Sequence, residues 1–345
     1  MARSRNSIMA LRPAPNEPTV ARGGAALSVG LSAVIVAASA QEPRVLTIRL
    51  PGVEQGSIEA LPAGPLEAEH RTLEVGLRAW VERQTSQRLG YVEQLYTFGD
   101  RDRADARFGM PALVVAYLAL VREANPAGSE NAEWQSWYRY FTWEDWREGR
   151  PPVLAPIETA LAAWAASATG EPERRLRTER LGLAFGLYGA DWNEELVLER
   201  YELLYEAGLV AEANRDLGQA GAAADIAIDD TAGGVAMALD HRRILATAIG
   251  RLRGKIKYRP VVFELMPPAF TLLQLQRTVE ALAGVRLHKQ NFRRLVEQQG
   301  LVEETGAISA ATGGRPARLV RFRREVLLER PAPGLRLRAG RRALG

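Results

Sequence analysis

Residues 260–322 read PVVFELMPPAFTLLQLQRTVEALAGVRLHKQNFRRLVEQQGLVEETGAISAATGGRPARLVRF. Just after Pro267 and Pro268, Thr271 and Gln274 stand at the S/T-x-x-E/Q spacing in which two side chains satisfy the free amides at a helix start. Leu272, Leu275, Val279 and Leu282 then fall on one helical stripe, and Gly284 can end it. A second helix follows over Lys289 to Gln298. Phe292, Leu295 and Val296 have core spacing there, which turns Lys289, Gln290, Arg293, Arg294 and Glu297 outward. Leu301 to Thr305 and Arg318 to Phe322 can pair as strands around residues 306–317, with Gly313-Gly314-Arg315-Pro316 at the tip.

A capped helix, a short turn, a basic helix and a hairpin, in that order, predict a winged helix-turn-helix over residues 258–330. Such a module lays its second helix in a groove of DNA. Lys289, Arg293 and Arg294 suit phosphates or guanine edges, and Gln290 and Asn291 have the amide geometry that pairs with adenine. Arg315 at the hairpin tip can reach a minor groove, with Arg318 on the strand behind it. A basic helix face taken alone is equally well explained by solvation. The hairpin shifts that balance, because Arg315, Arg318, Arg321, Arg323 and Arg324 follow directly. From Arg286 to Gly345, fourteen Lys and Arg face five Glu, a balance of +9 in a chain whose total is +4, which leaves −5 for the remainder. Positive charge gathered at one end attracts duplex phosphates without making the whole chain a polycation.

The 345 residues have room for about two domains. With no cysteine there is neither a disulfide nor a thiolate metal site, and His70, His241 and His288 are too scattered to suggest a metal cluster. Ala25 to Ala40 is apolar and ends in Ala38-Ser39-Ala40, which mimics a secretory signal. The favoured reading is a buried strand, since Val29, Leu31, Val34, Ile35 and Val36 are β-prone and a second strand, Val45 to Leu50, follows a turn at Gln41-Glu42-Pro43. The run is too short and too rich in Ala, Ser and Gly to span a bilayer.

Residues 1–24 read as a disordered leader and 331–345 as a basic disordered tail. Between them, strands at 27–38, 44–50, 91–98 and 111–121, a helix at 71–86 and mostly helix from 156 to 257 make the first domain α+β. Within it, residues 218–234 read as a loop and 235–255 as a connecting helix. An insert at 124–152 carries Trp134, Trp137, Tyr138, Tyr140, Phe141, Trp143 and Trp146, a density that fits a packing cluster or dimer contact better than a ligand cage.

Residues 61–86, LPAGPLEAEHRTLEVGLRAWVERQTS, resemble an eroded Nudix box, G-x5-E-x7-R-E-u-x-E-E-x-G-u, with Gly64, Arg78, apolar Trp80 and Glu82 retained. His70, Ala79, Arg83 and Thr85 stand where that pattern has Glu, Glu, Glu and Gly. Metal-assisted cleavage of a diphosphate needs several carboxylates converging on hard cations. One Glu beside Arg83 does not provide them, whereas an arginine can hold a phosphate without cleaving it. As a plain packing element, the same helix would bury Leu73, Leu77, Trp80 and Val81 and pair Arg78 with Glu82.

Together with LYTFGDRDR at 95–103, LDHRRILATAIGRLRGKIKYRPVVFELMPPAFTLLQLQ at 239–276 and the closing hairpin, these segments resemble the Nudix-related transcriptional regulators of NAD metabolism, in particular the NadQ-type branch, over residues 27–328. That resemblance implies a Nudix-like α/β/α sandwich with a helical and aromatic insertion over residues 25–257, followed by the winged helix. It implies a cytoplasmic homodimer that represses NAD biosynthesis or salvage genes on double-stranded operator DNA, with no required cofactor, no catalytic residues and no metal site. The effector implied is an adenine nucleotide such as NAD, NADH, ADP-ribose or ATP. Its cleft would be lined by Arg49, Gly64, Glu67, Arg78, Glu82, Asp100, Arg101 and Arg103. Two rival expectations are an active hydrolase of ADP-ribose or NADH and a protein-binding scaffold anchored by the aromatic insert.

Overall fold

The apolar run before residue 40 is the central strand of a sheet. In the computed structural model, which describes residues 28–51, 57–99, 113–122, 131–217, 233–309, 316–329 and 334–335, β1 (Val29–Ala38) pairs antiparallel with β2 (Pro43–Pro51) and parallel with β6 (Leu113–Leu120). Leu31, Ala33, Ile35 and Ala37 pack on one face against Leu77 and Val81 of α1 (Leu73–Thr85). Val34, Val36 and Ala38 pack on the other against a larger aromatic and helical layer. Burial on both faces explains why this strand is uniformly apolar or small, where a strand with one wet face would alternate. Each fully buried Leu or Ile contributes about 1.5–3 kcal/mol.

β1 and β2 touch only at Val36–Ala38 and then diverge. Two short strands that the sequence did not announce fill the gap: β3 (Ser57–Ala60) pairs with the end of β2, and β4 (Ala63–Pro65) with the start of β1. The sheet order is β3-β2-β1-β6 and then β5 (Tyr91–Phe98), whose bounds agree with the expected 91–98. A further unexpected strand, β7 (Ala132–Ser136), pairs with β2 from Arg44 to Ile48, so the aromatic insert begins as part of the sheet.

Two 3-10 turns, Trp137–Arg139 and Thr142–Glu144, then bury Trp137, Tyr138, Tyr140, Phe141 and Trp143. Trp137 packs edge to face with Tyr138, and Phe141 with Trp143 and with Tyr201 of α4 (Val197–Glu206), which lies beyond α2 (Leu154–Ala166) and α3 (Glu171–Phe185). The insert is thus a packing cluster, as its composition suggested. After α5 (Ala211–Leu217) the chain returns at residue 233 and reaches α6 (His241–Tyr258). The sequence places that helix from 235, but Ala238 donates to the carbonyl of Glu59 and Leu239 takes φ +53, so the segment first runs along β3.

α7 (Leu272–Ala283) and α8 (Lys289–Gln298) form the helix pair. The expected capping box is formed: Thr271 accepts from the Gln274 amide at 3.1 Å, and Gln274 accepts from the Thr271 amide at 2.7 Å. Gly284 ends α7 at φ +73. β8 (Val302–Ser309) and β9 (Ala317–Phe322) make the wing, and Phe270 bonds Val320 in both directions, tying the wing to the start of α7. A short helix, α9 (Val326–Glu329), follows.

Gly334 lies against the backbone of Tyr258, and Leu335 is fully buried with its amide donating to the carbonyl of Ile256. The stretch read as a disordered tail from 331 is therefore anchored at these two residues. The leader falls outside the described residues. Among those described, no helix is long and apolar enough to cross a membrane.

Candidate functional site

The outer face of α8 is the first candidate surface. Phe292 and Val296 are buried and Leu295 partly so, whereas Lys289, Gln290, Asn291, Arg293 and Arg294 are exposed. Asn291 accepts from Arg294 at 3.4 Å, and among the described residues no carboxylate pairs with Lys289, Arg293 or Arg294. Five polar side chains thus point to solvent without an acidic partner. The wing differs. Arg318 pairs with Glu304 at 2.7 Å, Arg321 with Glu303 at 2.6 Å and Arg323 with Glu329. These pairs are solvated and weak, so a phosphate can replace the carboxylate at small cost. Arg315 lies outside the described residues.

The second candidate is the eroded box. The structure divides its expected residues into two groups, because side chains two apart on a helix do not face each other. On one side, Gly64 lies under Trp80, where a Cβ would meet the indole at 2.2 Å, and Trp80 donates to the carbonyl of Pro65 at 2.8 Å. Arg83 lies over the same ring at 4.3 Å, with Glu67 at 3.9 Å. Glu67 also faces His70, whose Nδ1 accepts from the Glu67 amide at 3.1 Å. On the other side, Arg78 pairs with Glu74 and donates to the carbonyls of Leu89 and Gly90, while Glu82 pairs with Arg88. The pair expected between Arg78 and Glu82 does not form.

Arg49 lies apart from both groups, paired with Glu133 of β7 at 2.8 Å. Asp100, Arg101 and Arg103 fall outside the described residues. Just before them, at the end of β5, a cavity of about 650 Å³ is lined by Tyr96 and Phe98 of the 95–103 segment, Arg243 and Thr247 of the 239–276 segment, and Glu202, none of them among the expected effector residues. These box residues do not fit a divalent cation. Glu67 is engaged by His70, Glu82 points away, and Arg83 places positive charge where a ligand would be needed. Among the described residues no three His, Asp or Glu side chains stand close enough to hold a metal.

A buried ion cluster lies between the sheet domain and the helix pair. Glu144 accepts from Arg200 of α4 at 2.6 and 3.0 Å and from Arg253 of α6 at 2.5 Å, all three side chains being fully or almost fully buried. Burial pushes the Glu144 carboxyl up, but the two guanidiniums outweigh it and hold it below its usual range. Arg200 also lies 3.9 Å over the ring of Trp192. Arg253 donates to the carbonyl of Leu282 at 3.0 Å, so the cluster reaches the last turn of α7.

Comparison with known proteins agrees with this division. Residues 262–322 match the NrtR DNA-binding winged helix domain. The chain is 44% identical over 86 residues to an ADPR responsive transcriptional repressor, NtrR, of Acinetobacter baylyi; the match covers 25% of this chain and 34% of the relative, about a third of that protein's length. The fold is similar to that of Shewanella oneidensis NrtR complexed with a 27mer DNA, with a TM-score of 0.51 and 19% identity over 86% of this chain and 94% of that one. The S. oneidensis protein solved without DNA gives the same TM-score at 20% identity, covering 86% and 95% of the two chains. The chain therefore shares the fold of S. oneidensis NrtR, a sheet domain enlarged here by an aromatic and helical insertion and joined to a segment that matches the NrtR DNA-binding winged helix.

Proposed function

We propose that the protein is a transcriptional repressor that binds duplex DNA through α8 and the wing and senses ADP-ribose or a related adenine nucleotide through a Nudix-like domain that no longer hydrolyses it. The observation that carries the reading is the exposed face of α8, where Lys289, Gln290 and Arg293 present donors and an amide free of acidic partners among the described residues. Cations lacking a carboxylate partner retain full attraction for phosphate, and their side chains can reach base edges.

In the sensor, Arg83, held over Trp80 and half exposed, offers a fixed positive charge, which suits a phosphate. The same arginine opposes hydrolysis, since it occupies a place where cleavage would require a metal-binding carboxylate. A homodimer would present two copies of α8 to half-sites about one helical turn, or a multiple of it, apart. Such a repressor acts in the cytoplasm, where the operator is. The role in NAD metabolism follows from the family resemblance and from the effector class.

The test is a fluorescence anisotropy titration of a duplex selected by the protein from a random pool, with and without ADP-ribose, NAD, NADH and ATP. Binding that weakens with salt and responds to at least one nucleotide supports the reading. Failure to select any duplex removes the DNA half, and indifference to all four nucleotides removes the sensor half. Release of product from ADP-ribose or NADH with Mg²⁺ or Mn²⁺ would show that the domain is still a hydrolase.

A further inference from the structure

Two things set the orientation of α8, the core beneath it and the turn at residues 284–288 that joins it to α7. That turn is held from outside the helix pair, by the aromatic insert. Tyr138 donates its hydroxyl to the carbonyl of Ala281 at 2.7 Å, and the amide of Trp146 donates to the carbonyl of Gly284 at 2.7 Å. Gly284 leaves no room for a side chain, because a Cβ there would lie 2.4 Å from the carbonyl oxygen of Glu144 and 2.9 Å from the Tyr138 hydroxyl. Arg286 pairs with Glu148, also of the insert, and with buried Glu280, whose carboxylate accepts from the Leu287 amide at 3.0 Å. Arg253 closes the set by joining Glu144 to the carbonyl of Leu282.

The insert is at the same time part of the sensor. β7 pairs with β2, and Tyr140 and Arg139 both bond Glu59 on β3. One short segment, residues 132–148, is therefore bonded at its start to the sheet edge and at its end to the turn before α8. Packed elements of this kind shift between discrete arrangements rather than deform smoothly, so a change at the sheet edge is delivered to the turn as a displacement.

We infer that residues 132–148 are the coupling element of this protein, with Tyr138, Glu144, Glu148 and Arg286 acting as positioning residues that set the direction of α8 according to the state of the sheet domain. The inference rests on the effector-responsive reading above only for what moves the sheet; the clamp on the turn stands on the contacts alone. The Trp/Tyr segment thereby acquires a role that its burial alone does not require, since aromatic packing would be satisfied without hydrogen bonds to the carbonyls of Ala281 and Gly284.

Tyr138→Phe removes a hydroxyl, and Arg286→Ala removes the exposed pair with Glu148 and one contact to Glu280, whose carboxylate keeps its bonds from Gln276 and the Leu287 amide, so both variants should keep the fold. On full-length protein, the ratio of DNA dissociation constants with and without ADP-ribose measures the coupling. In both variants that ratio should move toward one by at least about threefold. The affinity for ADP-ribose in the absence of DNA should stay within about twofold, since no contact to the sensor is lost. Wild-type ratios in both variants would overturn the inference. Should wild type itself select no duplex or show no ADP-ribose effect, the functional reading fails and this one is decided by amide exchange. Exchange at residues 284–288 should then accelerate by about tenfold in the variants, with the first two turns of α7 unchanged. Equal exchange there would overturn the clamp.

Discussion

Arg293 shows how a single side chain separates this protein from a generic basic helix. It sits mid-face on α8 and, among the described residues, no carboxylate pairs with it, so its charge is available to a partner rather than spent internally. Arg293→Ala should weaken DNA binding by about 1–3 kcal/mol if it reads a base, or lower the salt slope by about one unit if it meets a phosphate. Anisotropy at several salt concentrations tells these apart, and an unchanged affinity would move the reading surface elsewhere. Gly284 makes the opposite kind of demand. At φ +73 and with a carbonyl 2.4 Å from where a Cβ would stand, Gly284→Ala should lose at least about 1 kcal/mol from the left-handed backbone alone. The collision adds to that, and urea unfolding would show it as a lower midpoint with an unchanged slope.

At the scale of elements, the cap of α7 can be tested in isolation from packing. Thr271→Ala removes one half of the reciprocal pair with Gln274 and should cost about 1 kcal/mol in thermal or chemical melts; no change would mean that the wing bridge at Phe270 alone fixes the helix start. This cap was readable in advance because its chemistry is local, and so was the outward face of α8, because burying Phe292 and Val296 leaves the remaining side chains only one direction. β3, β4 and β7 were not readable. Ala63-Gly64-Pro65 looks like a turn by composition and becomes a strand only because β1 is there to pair with it. The start of α6 was missed for the same reason, since residues 235–240 are held by β3 rather than by their own propensity. The box carried a subtler trap. Its spacing identified the helix, but which of its residues meet one another depends on helical phase and on the path of the preceding loop, which set Trp80 and Arg83 opposite Arg78 and Glu82.

For the whole molecule, the Glu144 cluster decides how the two halves respond to acid. Its carboxyl is held below the ordinary value of 4.5, so the folded state binds that proton more weakly than the unfolded state does. The stability it contributes is then fully present above the ordinary value and is lost as the pH falls through the depressed one. Melts recorded from pH 7 down to about 3 should show the transition temperature falling with acid, and Glu144→Gln should flatten part of that fall. The same variant should lose about 3–5 kcal/mol at neutral pH, because it leaves Arg200 and Arg253 buried without a counter-charge. A variant as stable as wild type would mean that the two guanidiniums are satisfied by backbone carbonyls alone.

Leu335 has a practical consequence for anyone who shortens the chain. Cutting after Glu329, where the wing and its closing helix end, would look harmless from sequence. Yet it would uncap the last turn of α6 at Ile256 and open a hole beside Tyr258, at the junction between the sheet domain and the winged helix. Such a shortened protein should melt earlier than the full one, by a margin set by one lost leucine and the void it leaves, about 2–5 kcal/mol.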